Sequence, residues 1–394
     1  MIRIAFLLNF PKSYKGGINY IKNLLYATSL LNSDKIKYIL FVPNDIEQEY
    51  IDLFSPYAEI VKTTILKRYS PQWFIDKVLE KKLNTNFFLA NLLKKYKINI
   101  ISHSNFYGKL KDIKVINWIP DLQILHYPDL WSESDRKKIF KQYGKIVDNS
   151  DRIVLSSNDA FKDFKNFTLK NWDKVRVLQF VSQPDAISNP EFESIKEVVK
   201  AKYKIGLPFF YLPNQFWSHK NHITVFKATK ILRDKGLNPL LVTTGFMADY
   251  RSNSSNNVQT IKNYINNNNL SDNILLLGLI PYNEVLVLIR MCVCLINPSL
   301  FEGWSSTVEE AKSTGKQIIL SNIPIHKEQN PKDGIYFDPL NEYELAGIME
   351  TLMLENNKND QTNFTISESV KADLIARTTN FAKNYFEIVN ELVP

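Results

Sequence analysis

Asn297-Pro-Ser-Leu-Phe-Glu-Gly-Trp-Ser-Ser-Thr-Val-Glu-Glu-Ala-Lys-Ser-Thr-Gly315 follows one buried apolar run, Val293–Ile296, and precedes another, Gln317–Leu320. The first run reads as a strand that stops at Asn297-Pro298. A tight loop then carries Glu302 and Gly303, and Ser305, Ser306 and Thr307 open a helix. Ser306-x-x-Glu309 has the spacing of a capping box, and Gly315 is a natural C-cap. A helix that begins this way directs free backbone N–H groups and its positive dipole end out of the sheet, an arrangement that binds phosphate. Glu302 on the loop and Glu310 in the first turns flank that N-terminus, and a carboxylate can grip two neighbouring hydroxyls. The physical reading is a phosphate held between two sugars, a nucleotide sugar. The competing reading is a capped helix whose acids complement its dipole, but Glu302 precedes the helix and gains little from capping.

Outward from this stretch, short apolar runs alternate with helical patterns. Ile2–Leu8, Tyr38–Val42, Ile98–Ser102, Val115–Trp118 and Arg152–Ser156 read as strands in the first half, with helical patterns at Ile18–Leu31 and Ala160–Phe167. The rhythm pauses at the polar, proline-bearing Gln183–Pro190, which suits a hinge, and a charged helix follows over Glu193–Lys204. It resumes with strands at Phe209–Leu212, Leu240–Thr244, Ile274–Leu277, Val293–Ile296, Gln317–Leu320 and Gly334–Phe337. Strand–helix–strand repeats with right-handed crossovers give a doubly wound parallel sheet. The fold class expected is α/β, with two Rossmann-like doubly wound domains over residues 1–185 and 190–370 facing each other across a cleft. A last helix within 371–394 is long enough to cross back to the first domain.

The bulk numbers agree with two domains. A chain of 394 residues with 44% hydrophobic and 23% charged content is globular and too long for one ordinary core. The two cysteines, Cys292 and Cys294, read as small core residues on one face of a strand and call for neither a disulfide nor a metal. The apolar start is short for a signal peptide, and Ile274–Asn297 is broken by Pro281, Asn283, Glu284 and Arg290, so a cytoplasmic location is expected. The charge of +8 is concentrated: Lys62–Lys97 holds nine basic residues against Asp76 and Glu80, interleaved with Tyr69, Trp73, Phe74, Phe87 and Phe88. The first reading is solvated helix faces around core residues. The sharper one is an aromatic-tipped basic surface that docks on anionic lipid, placing the chain at the inner face of the cell membrane. Nucleic acid ranks last, because no recognition motif accompanies the charge.

Glu302-Gly-Trp-Ser-Ser-Thr-Val-Glu-Glu310-Ala resembles the Glu-x7-Glu motif of retaining glycosyltransferase family four, with Ser305, Ser306 and Thr307 where Gly-Leu-Pro is usual. The resemblance implies the two-domain fold called GT-B, with an N-terminal acceptor domain and a C-terminal nucleotide-sugar domain. It implies Glu302 at the hydroxyls of the transferred sugar and Glu310 at the nucleotide ribose. Backbone N–H groups of Ser305, Ser306 and Thr307, beside Gly303, would meet the diphosphate. Tyr211-Leu-Pro-Asn-Gln-Phe-Trp-Ser-His-Lys220 is similar to the family's G-R-L-x-x-x-K pattern. Lys220 fits the lysine, Gln215 stands where arginine is usual, and Asn214 where glycine is. One cation is therefore missing, with His219 or another basic residue to replace it. Gly16-Gly17 resembles the family's loop over the donor phosphate, and Ile119-Pro-Asp121 resembles its H-D-x6-P stretch with Pro120 at the histidine. The resemblance implies Glu302, Lys220 and Asp121 as catalytic residues. Glu310, Ser305, Ser306, Thr307, Gly303, Gly17, Gln215, His219 and Gly245 would contact the donor. His126 is a further candidate at the sugar.

These readings together describe a retaining hexosyltransferase acting on a nucleotide diphosphate sugar and on a glycan or lipid-linked oligosaccharide acceptor, in surface polysaccharide biosynthesis. No cofactor is expected, since no Asp-x-Asp in a fitting context offers a metal site. The alternatives are a nucleotide-sugar 2-epimerase and a non-catalytic sugar-nucleotide-binding protein of the same fold. A dinucleotide oxidoreductase is disfavoured, because no Gly-x-Gly-x-x-Gly follows an expected strand.

Overall fold

The computed structural model describes the chain except for residues 9–14, 32–33, 84–85, 105–107, 109, 111, 183–188, 207, 250, 252–255, 359–364 and 394. The chain divides into two compact units: residues 1–125, 133–181 and 376–394, and residues 126–132 and 182–375. The expected hinge at 183–190 lies mostly outside the described residues, as does the loop 9–14 ahead of Gly16-Gly17.

The first unit is built on strands β1 (Ile2–Leu7), β2 (Ile36–Pro43), β3 (Glu59–Thr63), β4 (Ile100–Ser102), β5 (Lys114–Ile119), β6 (Arg152–Leu155) and β7 (Val175–Val177). All are parallel, in the order β3-β2-β1-β4-β5-β6-β7. The central strands are near-continuous apolar runs because helices cover both faces. Ile4, Ala5, Phe6, Ile100, Ile101 and Ile153 are fully buried. The two edges, β3 and β7, were not expected from the sequence. Glu59-Ile-Val-Lys-Thr63 carries charge on a half-exposed edge, and Val175-Arg-Val177 is three residues long. Charge and brevity are how edge strands avoid pairing with other chains, and both erase the apolar signature.

The second unit holds β8 (Phe210–Leu212), β9 (Leu241–Thr243), β10 (Ile274–Leu276), β11 (Leu295–Asn297), β12 (Ile318–Ser321) and β13 (Gly334–Phe337), parallel in the order β10-β9-β8-β11-β12-β13. Each matches an expected strand. Successive residues feed opposite faces: Leu295, Ile318 and Leu320 enter one core with Tyr211 and Val242, while Ile296 and Ile319 enter the other with Phe210 and Leu212. In both sheets the first strand lies in the middle and the order reverses beside it, the position where open α/β sheets bind ligands at their strand carboxyl ends.

Two details differ from expectation. Cys292 ends the Tyr282–Met291 helix rather than lying on a strand, so the two thiols enter opposite cores instead of one face. Both are free, and burial holds both thiols above their ordinary range, Cys292 at about 11. The Glu368–Asn390 helix is divided between the units near residue 375. Its later part packs within the first unit, where Tyr385 donates to Ser102 Oγ at 2.9 Å and Glu391 pairs with Arg152 at 2.6 Å and Arg176 at 2.8 Å.

Candidate active site

The strand that leads into the decisive loop ends on a buried amide. Asn297 Oδ1 accepts from Asn214 Nδ2 at 3.0 Å and Ser299 Oγ at 2.7 Å, and Asn297 Nδ2 donates to Ser305 Oγ at 2.8 Å. Thr307 Oγ1 donates to Asn214 Oδ1 at 3.2 Å. Asn214, where a glycine was expected by resemblance, thus ties the carboxyl end of β8 to that of β11 and to the helix beyond. All five side chains are buried, where polar groups persist only if bonded.

Glu302 sits on the loop after β11, and Lys220 closes a short 3-10 turn, Ser218–Lys220, after β8. Lys220 Nζ donates to Glu302 Oε1 at 2.6 Å, with the side chains 12% and 9% exposed. Ser299 Oγ lies 2.7 Å from the same oxygen, so its one proton is shared between Glu302 and Asn297. Burial pushes the Glu302 carboxyl upward, but the Lys220 ammonium, His326 and the two hydrogen bonds outweigh it, and the group stays below the usual glutamate range. His326 is itself buried; its Nδ1 donates to the Ser321 carbonyl at 2.9 Å, and burial lowers it to about 4.

The helix beyond the loop is Ser306–Thr314, and its cap lies one residue earlier than the sequence suggested. Ser305 is the N-cap, its hydroxyl accepting from Val308 N, and Gly315 at φ 67° closes the helix. Glu309 is not the partner of a capping box. Its Oε1 accepts from Gln329 Nε2 at 3.1 Å and Lys312 Nζ at 3.4 Å. The Ser305 N–H donates to Gln329 Oε1 at 2.9 Å, so this donor is committed within the fold. The hydroxyl-bearing Ser306 is exposed and Thr307 buried. Gly303 lies half-buried between Glu302 and the cap.

Glu310 faces a different neighbour. Tyr282 donates to its Oε1 at 2.9 Å, and burial raises the carboxyl to about 7, the tyrosine hydrogen bond opposing that rise. The two glutamates of one helix start therefore sit in contrasting environments, one paired with a cation and one with a phenol.

The remaining candidates in this unit have clear jobs. Gln215 Oε1 accepts from Phe246 N at 2.7 Å, bracing the turn after β9. Gly245 in that turn has φ 140°, and a Cβ there would lie 2.3 Å from the Asn214 carbonyl oxygen; only glycine permits the approach. The Gly245 N–H donates to Gly278 O at 2.9 Å. His219 is buried, and burial, with Lys220 and Arg251 nearby, holds its imidazole well below the ordinary range. Its carbonyl accepts Leu300 N at 2.8 Å, fixing the Glu302 loop. His126 belongs to this unit, its ring 5.1 Å from Phe301, and Tyr127 donates to Leu300 O at 3.3 Å. Arg251, which no motif flagged, pairs with Asp249 at 2.9 Å and lies between Trp217 and Trp131, 4.9 and 5.2 Å from their ring centroids. Tyr282, His326 and Gln329 were also missed, because they act on Glu310, Glu302 and Ser305 from distant parts of the sequence, and Ser299 because no motif marks it beside Glu302.

Asp121 and Gly17 belong to the first unit. Asp121 Oδ1 accepts from Gln123 N at 3.0 Å at the start of the short Gln123–His126 helix. Gly17 is buried within the Lys15–Ser29 helix, which begins earlier than the expected Ile18. Among the described residues no cluster of three or more His, Cys, Asp or Glu is placed to hold a metal ion. No helix among them is long and apolar enough to cross a membrane.

Comparison with known proteins agrees with this architecture. The sequence model of the family "Glycosyl transferases group 1" matches residues 196–365. The O-antigen chain mannosyltransferase RfbU of Salmonella typhimurium is 23% identical over 224 residues, 56% of this chain and 56% of that protein. The chain thus spans about half the length of the curated relative it matches. Among solved structures, Anabaena Alr3699/HepE, in complex with UDP-glucose, superposes with a TM-score of 0.71 at 12% identity, covering 99% of this chain and 100% of that one. A glycosyltransferase from Rickettsia africae does so at 0.64 and 16% identity, covering 100% and 98%. These likenesses show a shared fold, the GT-B arrangement of two parallel α/β sheets. Over residues 196–365, on that fold, the chain is similar to the group 1 glycosyl transferases.

Proposed function

We propose that the chain is a retaining glycosyltransferase that moves a hexose-type sugar from a nucleotide diphosphate sugar to a hydroxyl of a glycan or lipid-linked acceptor, in the assembly of a surface polysaccharide. The observation that carries the reading is the grouping of Lys220, Glu302 and the Ser306–Thr314 helix start, with Glu310 in its second turn. This is the equipment a sugar diphosphate requires. The ammonium and helix dipole offset charge on the leaving diphosphate, and the two carboxylates accept from sugar hydroxyls. The mannosyltransferase relative and the UDP-glucose complex of a shared fold support the donor class.

In this reading the bond between the anomeric carbon and the phosphate oxygen breaks while the acceptor oxygen bonds to the same face of that carbon. The acceptor proton passes to a donor phosphate oxygen, so no dedicated base is needed. The positive charges at the diphosphate are the chain's own, and no metal is required. Asp121 would act on the acceptor side.

A thermal-shift panel of UDP, GDP, dTDP and ADP sugars tests donor binding, since a ligand bound only by the native state raises the melting temperature. Product analysis with and without an acceptor glycan follows. A donor that stabilises the chain but is neither transferred nor hydrolysed would leave a binding protein. A donor whose sugar is epimerised without an acceptor would make it an epimerase.

A further inference from the structure

The helix pair Pro71–Leu83 and Phe87–Lys95 of the first unit is fastened from within and apolar on its outside. Asp76 is buried, and its carboxylate accepts Phe88 N at 3.0 Å and Leu89 N at 2.9 Å, capping the second helix from the first. That brace fixes the pair, yet large apolar side chains point away from it. Tyr69, Phe74 and Phe87 are 83%, 62% and 56% exposed, and Ile75 and Val78 are exposed as well. Phe74 and Val78 are four residues apart, with Lys82 four further on, so they share one helix face. Tyr69 leads into that helix with φ 67°, a left-handed conformation unusual for an aromatic residue. Its ring lies 5.7 Å from Trp73.

The charge along this stretch is predominantly positive, although Lys67 pairs with Asp45 at 3.4 Å. Residues 62–97 carry nine basic side chains and two acids. Asp76 is buried in its brace, and Glu80 is paired with Lys77 at 2.8 Å. Arg68 and Lys82 are exposed beside the apolar face, and Lys94 and Lys95 are exposed on the second helix. Apolar side chains held outward by a braced helix pair, with the exposed cations Arg68, Lys82, Lys94 and Lys95 around them, match the chemistry of an anionic bilayer surface: acyl chains for the rings, lipid phosphates for the cations.

We infer that the Tyr69–Phe87 face is a docking surface for anionic membrane, which the chain binds from the side without spanning it. This stands apart from the nucleotide-sugar reading. A chain that ignores every donor in the thermal-shift panel can still bind vesicles, and a donor-responsive chain can fail to.

The test is co-sedimentation of the full chain with vesicles of phosphatidylcholine alone and of equal parts phosphatidylcholine and phosphatidylglycerol, at low and at high salt. The expected result is binding to the mixed vesicles at low salt, weakened by salt and weak on phosphatidylcholine alone. Arg68→Glu with Lys82→Glu should lower the partition coefficient by at least about fivefold per residue. Phe74→Ser with Phe87→Ser should lower it as well, even in low salt. Both double variants change exposed positions, so an unchanged melting temperature and donor response serve as the control for folding. Absence of binding to mixed vesicles overturns the inference. So does equal binding by wild type and both variants, and so does salt-insensitive binding to neutral vesicles. Self-association abolished by Phe74→Ser, with no vesicle binding, would instead make the face a protein contact and overturn the lipid assignment.

Discussion

Lys220 Nζ stands 2.6 Å from Glu302 Oε1, joining the carboxyl end of β8 to the loop after β11 through a pair almost closed to solvent. Both residues were expected to serve a donor, one at the diphosphate and one at the sugar. In the structure they pair with each other. On the proposed function, a diphosphate that takes the ammonium competes with Glu302 and frees its carboxylate for sugar hydroxyls.

Breaking this pair from one side leaves a buried charge uncompensated. Lys220→Met should destabilise the chain by about 3–5 kcal/mol, and adding Glu302→Gln should restore much of that loss. Denaturant unfolding of the three variants measures it. A double variant as unstable as Lys220→Met would show that the pair is not the source.

Glu302→Gln alone should abolish transfer while the far-UV spectrum stays native. Lys220→Met should lower kcat by roughly a hundredfold or more through lost charge stabilisation at the leaving diphosphate. Chelation with EDTA should leave the rate unchanged. Steady-state assays with the donor found by thermal shift check all three, and undiminished turnover in Glu302→Gln would remove that residue from the reaction.

The two glutamates titrate with opposite sign. Glu310 is raised from 4.5 to about 7 by burial, so its contribution is fully present below pH 4.5 and is lost as pH rises through about 7. The loss is on the order of 3 kcal/mol by pH 8. Glu310→Gln should remove this alkaline decline, and Tyr282→Phe should deepen it, since the phenol favours the ionised form. Glu302 is lowered, so its contribution holds above its unfolded value near 4.5 and is lost as pH falls below that. Melting temperatures between pH 4 and 8 separate the two; a Glu310→Gln profile parallel to wild type would refute the assignment.

Gly245→Ala places a Cβ 2.3 Å from the Asn214 carbonyl oxygen at φ 140°. The strain alone is about 1–3 kcal/mol, and relief requires moving Asn214, which holds Asn297 and Thr307. The variant should melt lower and lose donor-induced stabilisation together. Gly347→Ala, whose Cβ meets nothing within 4 Å, is its control for substitution at a glycine.

The amino-acid order by itself determined the alternation of strands and helices, because buried parallel strands are apolar on both faces and stand out as short runs. It determined all six strands of the second unit and the loop–helix that carries Glu302 and Glu310. It did not reveal β3 and β7, since edges half-open to water carry the charges or brevity that hide them. Only the tertiary structure decided the partners. Lys220 faces Glu302 across 82 residues, Tyr282 reaches Glu310 across 28, Gln329 takes the Ser305 N–H across 24, and burial beside Lys220 and Arg251 lowers the His219 imidazole. Side-chain pairing and protonation depend on distance and dielectric in three dimensions, and local spacing carries neither.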